Sequence, residues 1–415
     1  MNWVQGIVVA ALFFDYFMNM AADYLNLRSL QQNVPELFKG IYDDEKYAQS
    51  QKYLLANTRF GMLSATVSLL VLLGFWFAKG FPLLDAWARS WNGGPVVTGL
   101  IYFGALFLFK GALSLPFTIY HTFVIEERFG FNKTTPKTFL LDLLKGLILS
   151  VTLGAILFTT LIWFLEYTGK NGWWYCWITL TLFMLIFQYV VPTWIMPLFN
   201  RFTPLEEGEL KRAIMDYAKK IQFSLDQVFV MDGSKRSTKS NAFFSGFGKN
   251  KRIVLFDTLI EKHSTDELVS VLAHEMGHYK KKHILKMMII SILYSGLILF
   301  LASLFLSYEP LFRAFFMERP SVHGGLIFFG LLYSPIDFLT GVLLNAFSRK
   351  NEYEADRFAV TTSGLSHALV SALKKLSIDN LSNLTPHPLY VYLHYSHPPV
   401  IKRIVTIEKT TLHPA

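Results

Sequence analysis

The sequence predicts an all-α membrane protein that carries a small α+β extramembrane unit. Three observations predict it. Seven apolar segments, most of them about 18 residues or longer, recur along the chain. A polar insert over residues 201–285 interrupts them and changes between helical and strand-like patterning. Inside the insert stands His274-Glu275-Met276-Gly277-His278, which has the form H-E-x-x-H.

The apolar segments are residues 3–20, 62–77, 96–118, 147–165, 173–196, 287–306 and 324–347. The second is short for a span and is expected to begin before Met62. Residues 289–306 contain no charged side chain, which argues against a large soluble helical core. The first segment lacks the basic start of a secretory signal, and Asp15 interrupts its apolar run, so a retained span is expected. Lys and Arg concentrate in alternate loops: Arg28 to Arg59, then Arg128, Lys133 and Lys137, then Arg201 onward. The intervening loops carry little more than Arg89, Lys170, and Arg313 with Arg319. Basic loops stay in the cytoplasm. The N-terminus is therefore expected outside or in a lumen, with His274 and the C-terminus in the cytoplasm. This loop bias accounts for the net charge of +9, and nucleic acid is not an expected partner. Cys176 is the only cysteine, so neither an intrachain disulfide nor a thiolate metal site is available.

Four regions are expected: a five-span membrane region over 1–200, the insert over 201–285, two further spans over 286–347, and a C-terminal segment over 348–415. Within the insert, residues 206–221 have helical periodicity, and residues 227–231 and 251–256 are short β-type runs. Gly246 and Gly248 mark a turn before the second run. Ser264-Thr265-Asp266-Glu267 predicts a capped helix start, and the helix that follows is largely apolar.

That helix carries the chemistry. Residues four apart share a face, so His274 and His278 can direct two imidazoles at one cation, with Glu275 beside them as a base. Chance supplies only about 0.01 such patterns in a chain of this length. A third donor is needed. Residues 348–356 follow the last span and are expected to continue it as helix, which sets Glu352 and Asp356 on one face and turns Glu354 away. One of the pair can ligate while the other orients a ligand histidine, and spacing leaves open which does which. Further on, His397 can donate to an oxyanion and Arg403 can hold a carboxylate. Lys110, Asp142, Lys145, Asp337 and Asn345 lie in or beside apolar segments. Asp142 and Lys145 are expected to snorkel at helix ends, and Asp337 to face an interior cavity.

Residues 274–278, 351–356 and 396–399 together resemble the type 1 CAAX prenyl protease family. Residues 120–127, 130–135, 195–200, 232–237, 241–244 and 252–259 carry the same resemblance, which covers nearly the whole chain. It implies an integral-membrane zinc metalloendopeptidase whose seven helices surround a large internal chamber. It implies one Zn²⁺ per chain on His274, His278 and Glu352, with Asp356 supporting and Glu275 catalytic. His397 and Arg403 resemble residues that contact the substrate carbonyl or the oxyanion. Asn241, Ala242 and Phe243 resemble an edge strand that binds substrate backbone. The implied partners are a peptide or protein substrate, prenylated ones included, and membrane lipid, with the protein a monomer. A quality-control protease for misfolded or translocon-jammed membrane proteins is the alternative, and a non-catalytic zinc-binding scaffold or transporter a remoter one. The short tail after His397 and the short loop between the last two spans favour a bacterial inner-membrane member over one of the endoplasmic reticulum.

Overall fold

The computed structural model describes residues 2–225, 227–245 and 252–412. The turn expected at Gly246 and Gly248 lies outside the described residues. The chain opens with α1 (Trp3–Arg28), α2 (Asp44–Phe77), a short α3 (Gly80–Arg89) and α4 (Gly94–Tyr120). Then come α5 (Pro136–Tyr167), α6 (Gly172–Val190) and a single turn, α7 (Met196–Phe199). Wider π-helical turns extend α4 through His121–Glu126 and join α6 to α7 through Val191–Ile195. The second contains Pro192, which has no N–H for the regular ladder. Among the described residues, seven helices are long and apolar enough to cross a membrane, and they coincide one to one with the seven apolar segments, the sixth ending one residue early at Phe305. The second starts before Met62, as expected, at Asp44. The last two are α11 (His283–Phe305) and α13 (Val322–Ser363).

The spans bury little of themselves in one another. The most apolar windows of α2 and α5 are 6% buried, and that of the α6 segment is not buried at all. A solid bundle would hide a full stripe along each helix. Most of each window is instead left uncovered by protein. At the end remote from the insert, aromatic packing closes the structure. Phe315 stacks on Phe328 with centroids 4.0 Å apart, and Trp76 stacks on Phe315 at 4.4 Å. The Trp76 indole N–H donates to the Ala314 carbonyl at 3.0 Å, so its polar handle is satisfied inside that cluster.

The insert folds as β1 (Phe202–Pro204), α8 (Glu209–Lys220), β2 (Gln227–Met231), β3 (Ala242–Ser245), β4 (Arg252–Phe256), a one-turn α9 (Asp257–Ile260) and α10 (Thr265–Lys280). The sheet order is β1-β2-β4-β3. β2 and β4 are parallel, with Val228 opposite Ile253; β3 is antiparallel to β4, with Phe243 opposite Val254. β3 is therefore an edge strand. The chain then continues through α11, α12 (Glu309–Ala314), α13, α14 (Ser366–Asp379), α15 (Pro388–His394) and α16 (Val400–Leu412). α13 runs unbroken past residue 347, so the last span and the Glu352 segment are one rigid helix. Leu272, Ala273 and Met276 of α10 share one buried core with Ile253 and Leu255 of the sheet, Ile214 of α8 and Leu369 of α14.

Asp142 departs from expectation. It does not snorkel freely: Arg236 grips it with Nε at 2.8 Å and Nη2 at 3.0 Å, and Nη2 also donates to the Phe199 carbonyl at 2.7 Å. Lys145 likewise donates to the Leu198 carbonyl at 2.7 Å. Fastening the insert to the spans outweighs hydration of these charges at a helix end. Asp337 is exposed and accepts from the Tyr294 hydroxyl at 3.0 Å; Asn345 donates to the Leu393 carbonyl at 2.8 Å.

Candidate metal centre

α10 begins with the expected capping box. The Ser264 hydroxyl accepts from Glu267 N–H, and the Glu267 carboxylate accepts from Ser264 N–H. Glu267 is buried and also receives Ser371 at 2.6 Å and Lys375 at 2.8 Å, both from α14. The start of the metal-bearing helix is thus pinned to the C-terminal segment. Farther along, Gly277 lets α10 lie close to α13. A Cβ there would sit 3.2 Å from the Ala355 carbonyl oxygen and 3.3 Å from its Cα. That approach brings Glu352 to the two histidines.

Three donor atoms converge. His274 Nε2 lies 3.1 Å from His278 Nε2, His278 Nε2 lies 3.2 Å from Glu352 Oε1, and His274 Nε2 lies 3.4 Å from Glu352 Oε2. Ligand atoms on a tetrahedral zinc stand roughly 3.3 Å apart, given bonds of about 2.0–2.1 Å. Glu352 is 3% exposed, yet its Oε2 has no hydrogen-bond partner among the described residues. A buried carboxylate with one oxygen left without a hydrogen bond, and two imidazole nitrogens beside it, suits a cation. The donor set therefore fits a divalent metal.

The surrounding side chains orient these donors. Asp356 Oδ1 meets His274 Nδ1 at 2.9 Å, which leaves Nε2 for the metal. Arg403 grips Asp356 with Nε at 2.8 Å and Nη2 at 2.6 Å, and its Nη1 is 3.6 Å from Glu352 Oε2. Arg403 thus holds a carboxylate, and that carboxylate is Asp356. Burial works against charge on His274, but hydrogen bonds to Asp356 and Glu352 push its pKa up to about 9. Burial also works against charge on Arg403, and Asp356, Glu352 and Glu275 together raise its pKa in spite of that. Glu275 is half-buried, and its carboxylate makes no hydrogen bond or close ion pair among the described residues, though its charge is felt by Arg403. His397, with its side chain 64% exposed, reaches Glu352 Oε1 with Nε2 at 3.3 Å, while Ser396 Oγ contacts its Nδ1 at 2.9 Å.

An apolar cavity of about 800 Å³ opens beside His278. Phe187, Met196, Phe243, Phe244 and Met287 are among its lining residues, so it touches the spans, the edge strand and the donor cluster together. Asn241 precedes β3 and is exposed, while Ala242 and Phe243 lie within it.

Residues 23–201 match the family model for the CAAX prenyl protease N-terminal region with five membrane helices, and residues 204–411 match that for peptidase family M48. The chain belongs to peptidase family M48. Its relatives agree with that membership. A CAAX prenyl protease 1 homolog from Dictyostelium discoideum is 34% identical over 96% of this chain and 94% of its own length. CAAX prenyl protease 1 of Saccharomyces cerevisiae is 33% identical over 98% and 94%, and the Homo sapiens homolog 33% over 92% and 90%. The crystal structure of S. mikatae Ste24p superposes with a TM-score of 0.93 at 32% identity, covering 98% of this chain and 99% of that one. This M48 chain is a multi-pass membrane metalloprotease of the CAAX prenyl protease 1 type. Because it spans nearly the full length of eukaryotic relatives, its compactness does not mark it as bacterial.

Sequence reasoning missed two features of the site. Gly277 occupies an unspecified position of the motif, and only its contact with Ala355 reveals a role. His283 stands five residues after His278, a spacing that helical periodicity assigns to another face; its Nδ1 nevertheless lies 3.1 Å from His278 Nδ1.

Proposed function

We propose that one zinc ion per chain is held by His274, His278 and Glu352, and that this M48 chain cleaves peptide bonds near the C-terminus of membrane-linked substrates, prenylated ones included. The convergence of one donor atom each from His274, His278 and buried Glu352 carries the reading. When bound, zinc supplies Lewis acidity toward water and a carbonyl oxygen. Glu275, with no competing partner among the described residues, takes the proton of the attacking water and returns it to the leaving amine. His397, exposed toward the site, donates to the developing oxyanion. Arg403 acts through Asp356, keeping the His274 ring in one orientation. Asn241, Ala242 and Phe243 offer substrate the outer side of an edge strand, where the Asn241 side chain caps the Ala242 N–H; strand addition there reads backbone and tolerates varied side chains. The cavity beside Phe243 gives an apolar side chain or lipid a place next to the scissile bond.

The loop charge bias supports an outside or lumenal N-terminus and a cytoplasmic active site. Eukaryotic relatives of matching length favour the endoplasmic reticulum membrane over a bacterial one. The protein acts as a monomer embedded in lipid. The test uses purified protein with a quenched farnesylated peptide and its unprenylated twin. Glu275→Gln should retain zinc and lose at least about 100-fold in kcat. The farnesylated peptide should be the better substrate. Unchanged turnover by Glu275→Gln would refute the mechanism. Equal rates on the two peptides would remove the prenyl preference and favour a quality-control protease.

A further inference from the structure

The two histidine donors have different supports. His274 rests on a carboxylate, Asp356, that an arginine holds. His278 has no carboxylate on its Nδ1. That nitrogen instead faces His283 Nδ1 at 3.1 Å, and His283 Nε2 faces Glu354 Oε2 at 3.2 Å. The His283 ring is buried, at 2% exposure, with its plane at 74° to that of His278. The direction of the chain follows from donor counting. If His278 Nε2 gives its lone pair to a metal, His278 Nδ1 carries the proton and donates it to His283. His283 then accepts at Nδ1, so its own proton sits on Nε2 and is donated to Glu354. A carboxylate can only accept, so the order cannot reverse while Glu354 is ionised.

The backbone is bent to make this contact. On an uninterrupted helix, a residue five positions on would point roughly 140° away. α10 ends at Lys280, and α11 begins at His283. Between them, Lys282 adopts φ 59° and ψ 30°, a left-handed conformation that non-glycine side chains disfavour. This turn brings the His283 ring back onto His278. Strain of this kind persists where the surrounding structure over-determines it.

We propose that His283 and Glu354 are positioning residues for the metal. They fix His278 as an Nε2 donor and tie it to two membrane helices, since His283 opens α11 and Glu354 lies on α13. The inference rests on the zinc reading above and extends it to the second histidine.

Zinc dissociation constants, measured by competition with a chromogenic chelator on full-length protein in detergent, test it. Wild type, His283→Phe, His283→Asn and Glu354→Ala are compared, with melting curves recorded for each. His283→Phe removes the acceptor and should weaken zinc binding about 10–100-fold. His283→Asn restores an oxygen near the Nδ1 position and should recover most of that loss, which a purely space-filling role would not predict. Glu354→Ala, at the half-exposed end of the chain, should weaken binding several-fold. Wild-type affinity in His283→Phe would overturn the proposal. Should that variant fail to fold, wild-type affinity in Glu354→Ala would overturn it equally. A wild type that binds no stoichiometric zinc would instead refute the metal reading itself.

Discussion

Asp356 shows most plainly how one side chain serves the centre. It is 1% exposed and holds both His274 Nδ1 and the Arg403 guanidinium. Buried carboxylates persist where such partners compensate their desolvation. Asp356→Asn keeps the shape and removes the charge, depriving Arg403 of its nearest counter-ion. Zinc affinity should fall about 10–100-fold, read by chelator competition on protein that still elutes as a folded species. Affinity equal to wild type would show that His274 needs no carboxylate behind it. At this scale much was legible from the chain alone. H-E-x-x-H spacing pointed to the two imidazoles that the structure brings together, and the i,i+4 relation of Glu352 and Asp356 reduced the proposed third donor to two candidates. Which of them ligates was not legible, because the choice depends on how α13 is rotated against α10. Glu354 was expected to point away from Glu352. It does, but toward His283, through a left-handed turn that no helical pattern encodes.

The elements most visible in the sequence were those with a long local signal. Each apolar segment marked a span because hydropathy accumulates residue by residue. The three residues of β1 and four of β3 carry too little pattern, and their pairing depends on β2 and β4. α10 owes its position to two devices at this scale. At Gly277, an added methyl meets Ala355 backbone, which cannot swing aside as a flexible side chain would. Gly277→Ala should push α10 and α13 apart by a few tenths of an ångström, cost about 1–3 kcal/mol, and loosen zinc several-fold in the same competition assay. At the helix start, His263 and Glu267 predict a pH response. Burial depresses the pKa of His263 by more than Glu267 raises it. Burial opposes ionisation of Glu267, yet Lys375, Ser371 and the Ser264 N–H hold its pKa below the usual value. Both folded-state values lie below the unfolded ones. Their stabilisation is therefore complete above the unfolded pKa, about 6.5 for His263 and about 4.3 for Glu267, and is lost as the pH falls from there through the folded value. Melting temperature should drop between pH 7.5 and 5.5, and again below about pH 4.5. Lys375→Met should lower the neutral-pH melting point and shrink the second drop. A flat profile over both windows would contradict this account of the cap.

Across the whole molecule, the site is an assembly of distant parts. His274 and His278 come from the insert, Glu352 and Asp356 from the continuation of the last span, and His397 and Arg403 from the C-terminal segment. Arg236 on Asp142 and Lys239 on Glu126, the latter at 2.8 Å, fasten the segment before the edge strand to the spans. The site is thereby held against the membrane helices whose side chains line its cavity. Pattern in the chain located these parts but could not bring them together; a relation spanning almost 80 residues between His274 and Glu352 has no periodic signature. The central claim is that one zinc ion unites the insert and the last span. Zinc per chain, measured by elemental mass spectrometry on purified wild type and on folded Glu352→Ala, tests it most directly. The account predicts about one zinc in wild type and a small fraction of that in the variant. Undiminished zinc in Glu352→Ala, or a wild type that cleaves peptide while holding none, would contradict it.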